Sequence, residues 1–202
     1  MRSIAGGPPA ASGPLPPSGA APPPGPAPPP SSKPALPGQP APAAPATPAT
    51  EFISLPHDER IQALVFSPDG KWLASAGANG MLNLWDAREG KLKARLNGHY
   101  GSIFGLDFAP DSQHFVSTGS DRTVRLWNVG VERAVAVLYG HSAVIYTAGF
   151  SPNGARVVTA SYDQTARIWD VRAGQPVAIL QGHRRGVTSA TFSRSGSRIV
   201  TT

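Results

Sequence analysis

A histidine, a hydroxyl side chain and an acidic or amide side chain recur together along this chain at constant spacing. Such a trio could catalyse a nucleophilic reaction, because a histidine oriented by an acid can take the proton of a serine or threonine hydroxyl. A tryptophan follows every complete trio at a fixed distance. The sets are His57, Ser75, Asn79 and Trp85; His99, Ser117, Asp121 and Trp127; His141, Thr159, Asp163 and Trp169; and the start of a fourth, His183 with Thr201.

The repetition of the trio argues against catalysis. An enzyme needs one such site in a cleft with an oxyanion hole, whereas this chain carries a trio in each repeat. The hydroxyl changes to threonine at Thr159, and an amide replaces the acid at Asn79. We therefore predict a structural role and no catalytic residue. A hydrolase is the alternative, and it would require an activity that a single serine-to-alanine change abolishes.

The four repeated histidines do not predict a metal site. They are forty-two residues apart and would lie on separate structural units, whereas the ligands of a metal ion must converge. The chain has no cysteine, which excludes disulfides and thiolate ligands. We predict no metal and no cofactor.

The trios are part of a longer internal repeat. The stretch DRTVRLWN at 121–128 has counterparts forty-two residues away on either side, NGMLNLWD at 79–86 and DQTARIWD at 163–170. Short apolar alternations separated by turns indicate about four short strands in each repeat. A sheet of this size cannot bury both of its faces alone, so the repeats must stack on one another. The same period separates Phe66, Phe108, Phe150 and Phe192, which precede the turns SPDG, APDS, SPNG and SRSG.

These motifs identify a family resemblance. A GH dipeptide, a Phe-Ser-Pro turn, a strand of small residues and a stretch of the form SxDxTxRxWD resemble the WD-repeat β-propeller family. The resemblance implies an all-β fold, a partial β-propeller of four-stranded antiparallel blades. It places the blades at about 59–97, 101–139 and 143–181, with a partial blade at 185–202.

The resemblance also implies what the trios do. In the family the acid bonds to the histidine, the histidine to the hydroxyl, and the hydroxyl to the tryptophan indole. Such a chain satisfies buried polar groups that would otherwise each cost roughly 1–3 kcal/mol. Asn79 carries no charge, so we expect its bond to His57 to be weaker and the first blade to be the least firmly held.

The ends of the chain carry further expectations. Residues 1–50 are nearly all Pro, Ala, Gly and Ser, which predicts a disordered linker before a propeller at 51–202. Its PxxP spacings could dock on a proline-reading domain. EFISL at 51–55 resembles the outermost strand of a closing blade, and the last repeat stops before its Asp turn. We therefore expect a piece of a larger propeller protein, with self-assembly of two copies as the alternative.

The charge pattern does not favour nucleic acid or membrane. The formal net charge is +6, with 18 Lys and Arg against 12 Asp and Glu. There is neither a DNA-reading motif nor aromatic residues interleaved with the basic ones. The start, MRSIAGG, lacks the apolar core of a secretory signal, and no apolar run approaches the roughly 20 residues that span a bilayer. A cytoplasmic location is favoured.

Function is therefore expected on the surface, as a non-catalytic scaffold that binds a protein or peptide and no small-molecule substrate. The alternative is an accessory or sensor segment of a signalling enzyme such as a protein kinase. The resemblance implies partner contacts four residues before each strand-ending Phe and just before each acid. Exposed aromatic residues are typical interface anchors, although Phe104 could equally pack against the neighbouring blade. The candidates are Gln62, Phe104, Tyr146, Thr188, Ala78, Ser120 and Tyr162, with Tyr100, Arg184 and Arg185 at the rim.

Overall fold

The computed structural model describes Leu55 and residues 60–202. These residues form four antiparallel sheets and no helix, which confirms the predicted all-β fold. Each sheet pairs its strands in chain order, and we number the sheets as blades 1 to 4. Blade 1 has β1 Ile61–Phe66, β2 Trp72–Gly77, β3 Leu82–Asp86 and β4 Lys91–Leu96; blade 2 has β5 Ile103–Phe108, β6 His114–Gly119, β7 Val124–Asn128 and β8 Val131–Leu138; blade 3 has β9 Ile145–Phe150, β10 Arg156–Ser161, β11 Ala166–Asp170 and β12 Gln175–Leu180; blade 4 has β13 Ala190–Phe192 and β14 Ile199–Thr201.

The turn after each first strand follows from its sequence. In SPDG the backbone N–H of Gly70 donates to the carbonyl of Ser67 at 2.9 Å, and Ser67 Oγ accepts from the N–H of Trp72 at 2.9 Å. Gly70 has φ +71°, a left-handed conformation that glycine adopts without a steric penalty. The tight turn reverses the chain, so the next strand pairs with the previous one. The strand predicted at 51–55 lies outside the described residues except for Leu55.

The core lies between the blades. Blade 2 presents Phe108 and Trp127 toward blade 1, where they pack with Leu84 and Leu96. Its opposite side, with Val116 and other aliphatic residues, packs on Phe150 and Trp169 of blade 3. Burying each such side chain contributes roughly 1.5–3 kcal/mol. Blade 2 therefore buries both of its faces against neighbouring blades, as the stacking argument predicts.

Polar bonds also join successive blades. Asp107 Oδ2 accepts the backbone N–H of Phe150 at 2.7 Å, and Thr147 Oγ1 accepts that of Ala190 at 3.2 Å. Burial raises the pKa of the Asp107 carboxyl, although hydrogen bonds from the Phe150 and Phe108 backbone act in the opposite direction. The Asp107 carboxylate of blade 2 thus satisfies the backbone N–H of Phe150 in blade 3, at the electrostatic cost of burying a charge.

Candidate functional site

The trio of blade 2 forms one continuous hydrogen-bonded chain. His99 Nδ1 lies 2.9 Å from Asp121 Oδ2, and its Nε2 lies 2.7 Å from Ser117 Oγ. Ser117 Oγ in turn accepts the indole N–H of Trp127 at 2.8 Å. The histidine comes from the loop before β5, the serine from β6, the aspartate from the turn after β6 and the tryptophan from β7. The chain therefore ties one loop, one turn and two strands of a single blade together.

The direction of these bonds can be worked out from the donors. An indole nitrogen only donates and a carboxylate only accepts, so Ser117 Oγ accepts from Trp127 and His99 Nδ1–H donates to Asp121. The remaining bond then runs from the Ser117 O–H to the bare Nε2 of His99. This arrangement requires a neutral imidazole. The three donors, which are the indole N–H, the hydroxyl and Nδ1–H, are all engaged along the chain, and no proton is left over for catalysis.

Blade 3 repeats the arrangement with threonine in place of serine. His141 lies 2.7 Å from Asp163 Oδ2 and 2.8 Å from Thr159 Oγ1, which accepts the Trp169 indole N–H at 2.9 Å. Burial lowers the pKa of His141, against the pull of Asp163. Burial also acts to raise the pKa of Asp163, but hydrogen bonds from Thr165 and His141 lower it to about 2. The neutral histidine and ionised aspartate are therefore the stable pair.

Among the described residues, parts of this hydrogen-bonded chain are seen in blades 1 and 4. In blade 1 the Trp85 indole donates to Ser75 Oγ at 2.8 Å, but Asn79 Oδ1 accepts the N–H of Met81 at 3.0 Å within its own turn. His57 lies outside the described residues, so the predicted bond from Asn79 to it stays a prediction. In blade 4 His183 Nε2 lies 2.8 Å from Thr201 Oγ1.

Sequence reasoning missed residues that support the acid. Thr123 donates to Asp121 Oδ1 through its hydroxyl at 2.9 Å and its backbone N–H at 3.1 Å, and the backbone N–H of Tyr100 donates to Oδ2 at 3.2 Å. In blade 3 Thr165 and the Ser142 N–H bond Asp163 in the same way. The threonine two residues after the acid, present in both motifs, is the signal that could have predicted this.

An arginine packs beside each complete chain. Arg125 Nη2 lies 3.8 Å from Asp121 Oδ2, and its guanidinium occupies the space next to Gly98. A Cβ on Gly98 would come within 2.6 Å of Arg125 Nη1, and one on Gly140 within 2.7 Å of Arg167 Nη1. In these two repeats the arginine two residues before the tryptophan therefore packs against the glycine of the GH dipeptide.

The geometry leaves no reactive hydroxyl at these chains. Ser117 and Thr159 are completely buried, and each hydroxyl already bonds a histidine and a tryptophan. A nucleophile must instead reach a substrate carbonyl beside an oxyanion hole. The resemblance to a catalytic triad is therefore limited to residue type.

The comparison with protein families decides the identity of the fold. The model described as "WD domain, G-beta repeat" matches residues 50–86, 90–128, 132–170 and 174–202. The chain belongs to the WD-repeat family. WD repeats generally mediate protein–protein interaction as scaffolds and are typically non-catalytic. None of the described residues forms a helix long and apolar enough to cross a membrane.

The WD repeats place their histidine loops and acid turns at the same end of the blades. We call this surface the His-loop face; it consists of residues 78–81, 97–102, 120–123, 139–144, 162–165 and 181–189. Tyr162 is 63% exposed there, and Tyr100 and Tyr139 also project into solvent. Tyr139, the residue before the GH dipeptide of blade 3, was not singled out from the sequence. Its position directly before the GH dipeptide is the sequence signal that could have indicated it.

Three predicted aromatic residues lie beside one another across blades 2 and 3. The rings of Phe104 and Tyr146 have centroids 6.0 Å apart, and those of Tyr146 and Tyr162 are 6.5 Å apart and perpendicular. We call them the aromatic row. Phe104 and Tyr146 are half-buried, so Phe104 packs on the neighbouring blade and still keeps an accessible edge.

The aromatic row ends beside the loop that carries Arg184 and Arg185. A Cβ on Gly186 would come within 2.6 Å of Tyr162 Cδ2, so the ring lies against this glycine. Both arginines are exposed. Tyr162 of the His-loop face thus links the aromatic row, through Tyr146, to the loop that carries Arg184 and Arg185.

The other predicted contact residues are less available. Gln62 and Ser120 are half-buried, and the Ser102 hydroxyl donates to the carbonyl of Ala78 at 3.0 Å. Thr188 is exposed, but its backbone N–H donates to the carbonyl of Thr202 at 2.8 Å.

Proposed function

We propose that residues 51–202 are a non-catalytic scaffold that binds a protein or peptide partner through the His-loop face, with residues 1–50 as a linker. The observation that carries this proposal is the aromatic row, whose outermost ring, Tyr162, is 63% exposed. Tyrosines held on a rigid framework are typical of residues that dominate binding energy.

The framework supports the row because it leaves little freedom in the loops. Tyr162 follows β10 directly, and its backbone N–H donates to the carbonyl of Val144 at 2.9 Å. Asp163, the next residue, is held by His141 and Thr165. Because the backbone of this turn is already held in place, it loses little conformational entropy when a partner binds.

Site-specific photo-crosslinking tests the proposal. A photoreactive phenylalanine analogue replaces Tyr162 in the full chain, and a matched variant carries it at Arg172, an exposed residue of the β11–β12 turn on the opposite face. We expect one defined protein adduct from position 162 that is absent at position 172 and is lost when Tyr146 is changed to Ser. Equal adducts from both positions would contradict the proposal.

A further inference from the structure

The charges of the His-loop face suggest what kind of partner it takes. Arg122, Arg184 and Arg185 are exposed there, and none has a carboxylate partner within the part of the chain that the structure describes. The two carboxylates on this face are Asp121 and Asp163. Their side chains are only 7% and 6% exposed, because the histidine bonds hold them inside the blades. The accessible charge of the face is therefore positive.

The opposite face has a different charge pattern. There Lys71 pairs with Asp69 at 3.2 Å and Lys91 with Glu89 at 2.9 Å. His114 Nδ1 also lies 2.7 Å from a carboxylate oxygen of Asp111. Acidic and basic groups thus accompany one another at that end of blades 1 and 2. Arg172, Arg194 and Arg198 are also exposed at that end and have no carboxylate partner among the described residues. The His-loop face differs because its Arg184 and Arg185 belong to the loop that contacts the exposed Tyr162 ring.

We propose that the His-loop face recognises a carboxylate-rich peptide segment, with acidic side chains on Arg184 and Arg185 and an adjacent apolar side chain on the aromatic row. This inference rests on the proposed function and specifies the partner's chemistry. Guanidinium groups bind carboxylates bidentately and are weakly hydrated. The Tyr162 ring lies against Gly186, the residue after Arg185, and an apolar ring beside a bound carboxylate would strengthen its attraction to the arginines relative to a fully exposed pair.

Like-charge repulsion supports the same choice. A lysine-rich or arginine-rich segment would bring its charges toward Arg122, Arg184 and Arg185, with no accessible carboxylate on the described face to compensate. Juxtaposed like charges penalise the wrong partner. A single-stranded nucleic acid shares the negative charge, but it binds through flat faces on which bases stack. In the aromatic row the planes of Tyr146 and Tyr162 meet edge to face at 88°, so the ring face at this contact is covered by the other ring and is not open to a stacking base.

Fluorescence anisotropy with defined peptides tests the proposal on the full chain. The probe is a labelled peptide of glutamate and glycine with one central leucine, and its matched control has glutamine at every glutamate. We expect the glutamate peptide to bind about tenfold or more tightly than the control, a difference that shrinks as salt is added.

Two charge-matched variants locate the site. Arg184→Gln with Arg185→Gln should remove most of that preference. Arg194→Gln with Arg198→Gln makes the same change in net charge at exposed positions of the β13–β14 turn and should leave it intact. All four side chains are exposed, so unchanged urea midpoints are expected and confirm that the variants fold.

Several results would overturn the inference. These are no binding of the glutamate peptide, equal binding of both peptides, equal losses in the two double variants, or tighter binding of a single-stranded oligonucleotide that depends on the same arginines. If the adduct at position 162 still forms while any of these results is obtained, the proposed function stands and only the acidic partner is wrong. Absence of the adduct together with any of these results would contradict the proposed function as well.

Discussion

Phe66 of blade 1 and Phe108 of blade 2 occupy the same position in the repeat, yet Phe66 is 59% exposed and Phe108 only 4%. Both end a first strand and precede the same kind of turn. Phe108 packs against blade 1, whereas Phe66 belongs to none of the three hydrophobic clusters formed by the described residues. The contribution of this repeated phenylalanine to the free energy of unfolding therefore depends on the blade next to it and not on the blade that contains it.

The acid position of the two blades differs as well. Asp121 accepts bonds from His99, Thr123 and Tyr100, so it joins a loop to a turn. Asn79 is exposed, and among the described residues it accepts a local bond from Met81. The serine–tryptophan bond is nevertheless 2.8 Å long in both blades. The inner half of the chain of bonds thus forms whether or not a carboxylate completes the outer half.

The largest difference between the two blades is expected when each of these phenylalanines is changed to alanine. Phe108→Ala should lower the free energy of unfolding by about 3–5 kcal/mol, because it opens a cavity in a packed core. Phe66→Ala, the matched change on an exposed side chain, should cost less than about 1 kcal/mol. Urea unfolding of the two variants measures the difference. Equal losses would show that another part of the chain covers Phe66.

The next effect concerns the acid. Asp121→Asn should cost roughly 1–3 kcal/mol, because a buried charge-assisted network loses its carboxylate. The matched exchange, Asn79→Asp, should change stability by less than about 0.5 kcal/mol, since the residue is exposed.

Hydrogen exchange compares the two blades in the parent protein: amides of blade 1 should exchange faster than those of blade 2. Greater protection in blade 1 would refute this.

The hydrogen bond from the Phe150 N–H to Asp107 joins blades 2 and 3. Blade 1 has Val65 at the position of Asp107 and cannot make the equivalent bond, which is a further difference between blades 1 and 2. Asp107→Ala should destabilise by roughly 1–3 kcal/mol, since it leaves the buried N–H of Phe150 without its acceptor. Asp107→Asn keeps an acceptor and removes a charge whose pKa is raised by burial, so it should be neutral or stabilising at pH 7. Thermal unfolding of both variants tests this. A loss for the asparagine variant as large as that for alanine would contradict it.

The smallest expected effect is a pH dependence that comes from the hydrogen-bonded histidine of blade 3. Burial lowers the folded-state pKa of His141 below its usual 6.5, so the unfolded state takes up a proton first as the pH falls. Stability from this group is complete above pH 6.5 and is lost as the pH falls from there through the folded-state pKa. His141→Gln should therefore be less stable at pH 7 but show a flatter decline between pH 7 and 5. His114→Gln, outside the trios, is the control. An unchanged decline in His141→Gln would contradict this assignment.

Much of the fold could be predicted from residue spacing. The repeat of forty-two residues, the turn motifs and the apolar alternation indicated four-stranded blades, and the sheets have that form in blades 1 to 3. The bounds of single strands do not follow from the spacing, because pairing with the neighbouring strand sets where a strand begins: β3 begins at Leu82, which pairs with Ala76 and Leu96.

The site was predicted less completely than the fold. Residue types and spacing selected Ser117, His99 and Asp121, but not the support from Thr123 or the packing of Arg125 against Gly98. Nor did they indicate that Tyr139 would be exposed. A single repeat motif does not say which of its polar residues bond one another, because several pairings have suitable chemistry.

The sequence by itself determined the repeating unit, because period-two alternation, turn residues and the tetrad of polar side chains act within one blade. Tertiary structure alone decided which copy of an equivalent residue is buried, as with Phe66 and Phe108. It also decided that Tyr146, Tyr162 and the Gly186 loop lie together, although they are far apart along the chain. The physical reason is that burial and contact between blades depend on the residues of the neighbouring repeat, which the motif of one repeat does not specify.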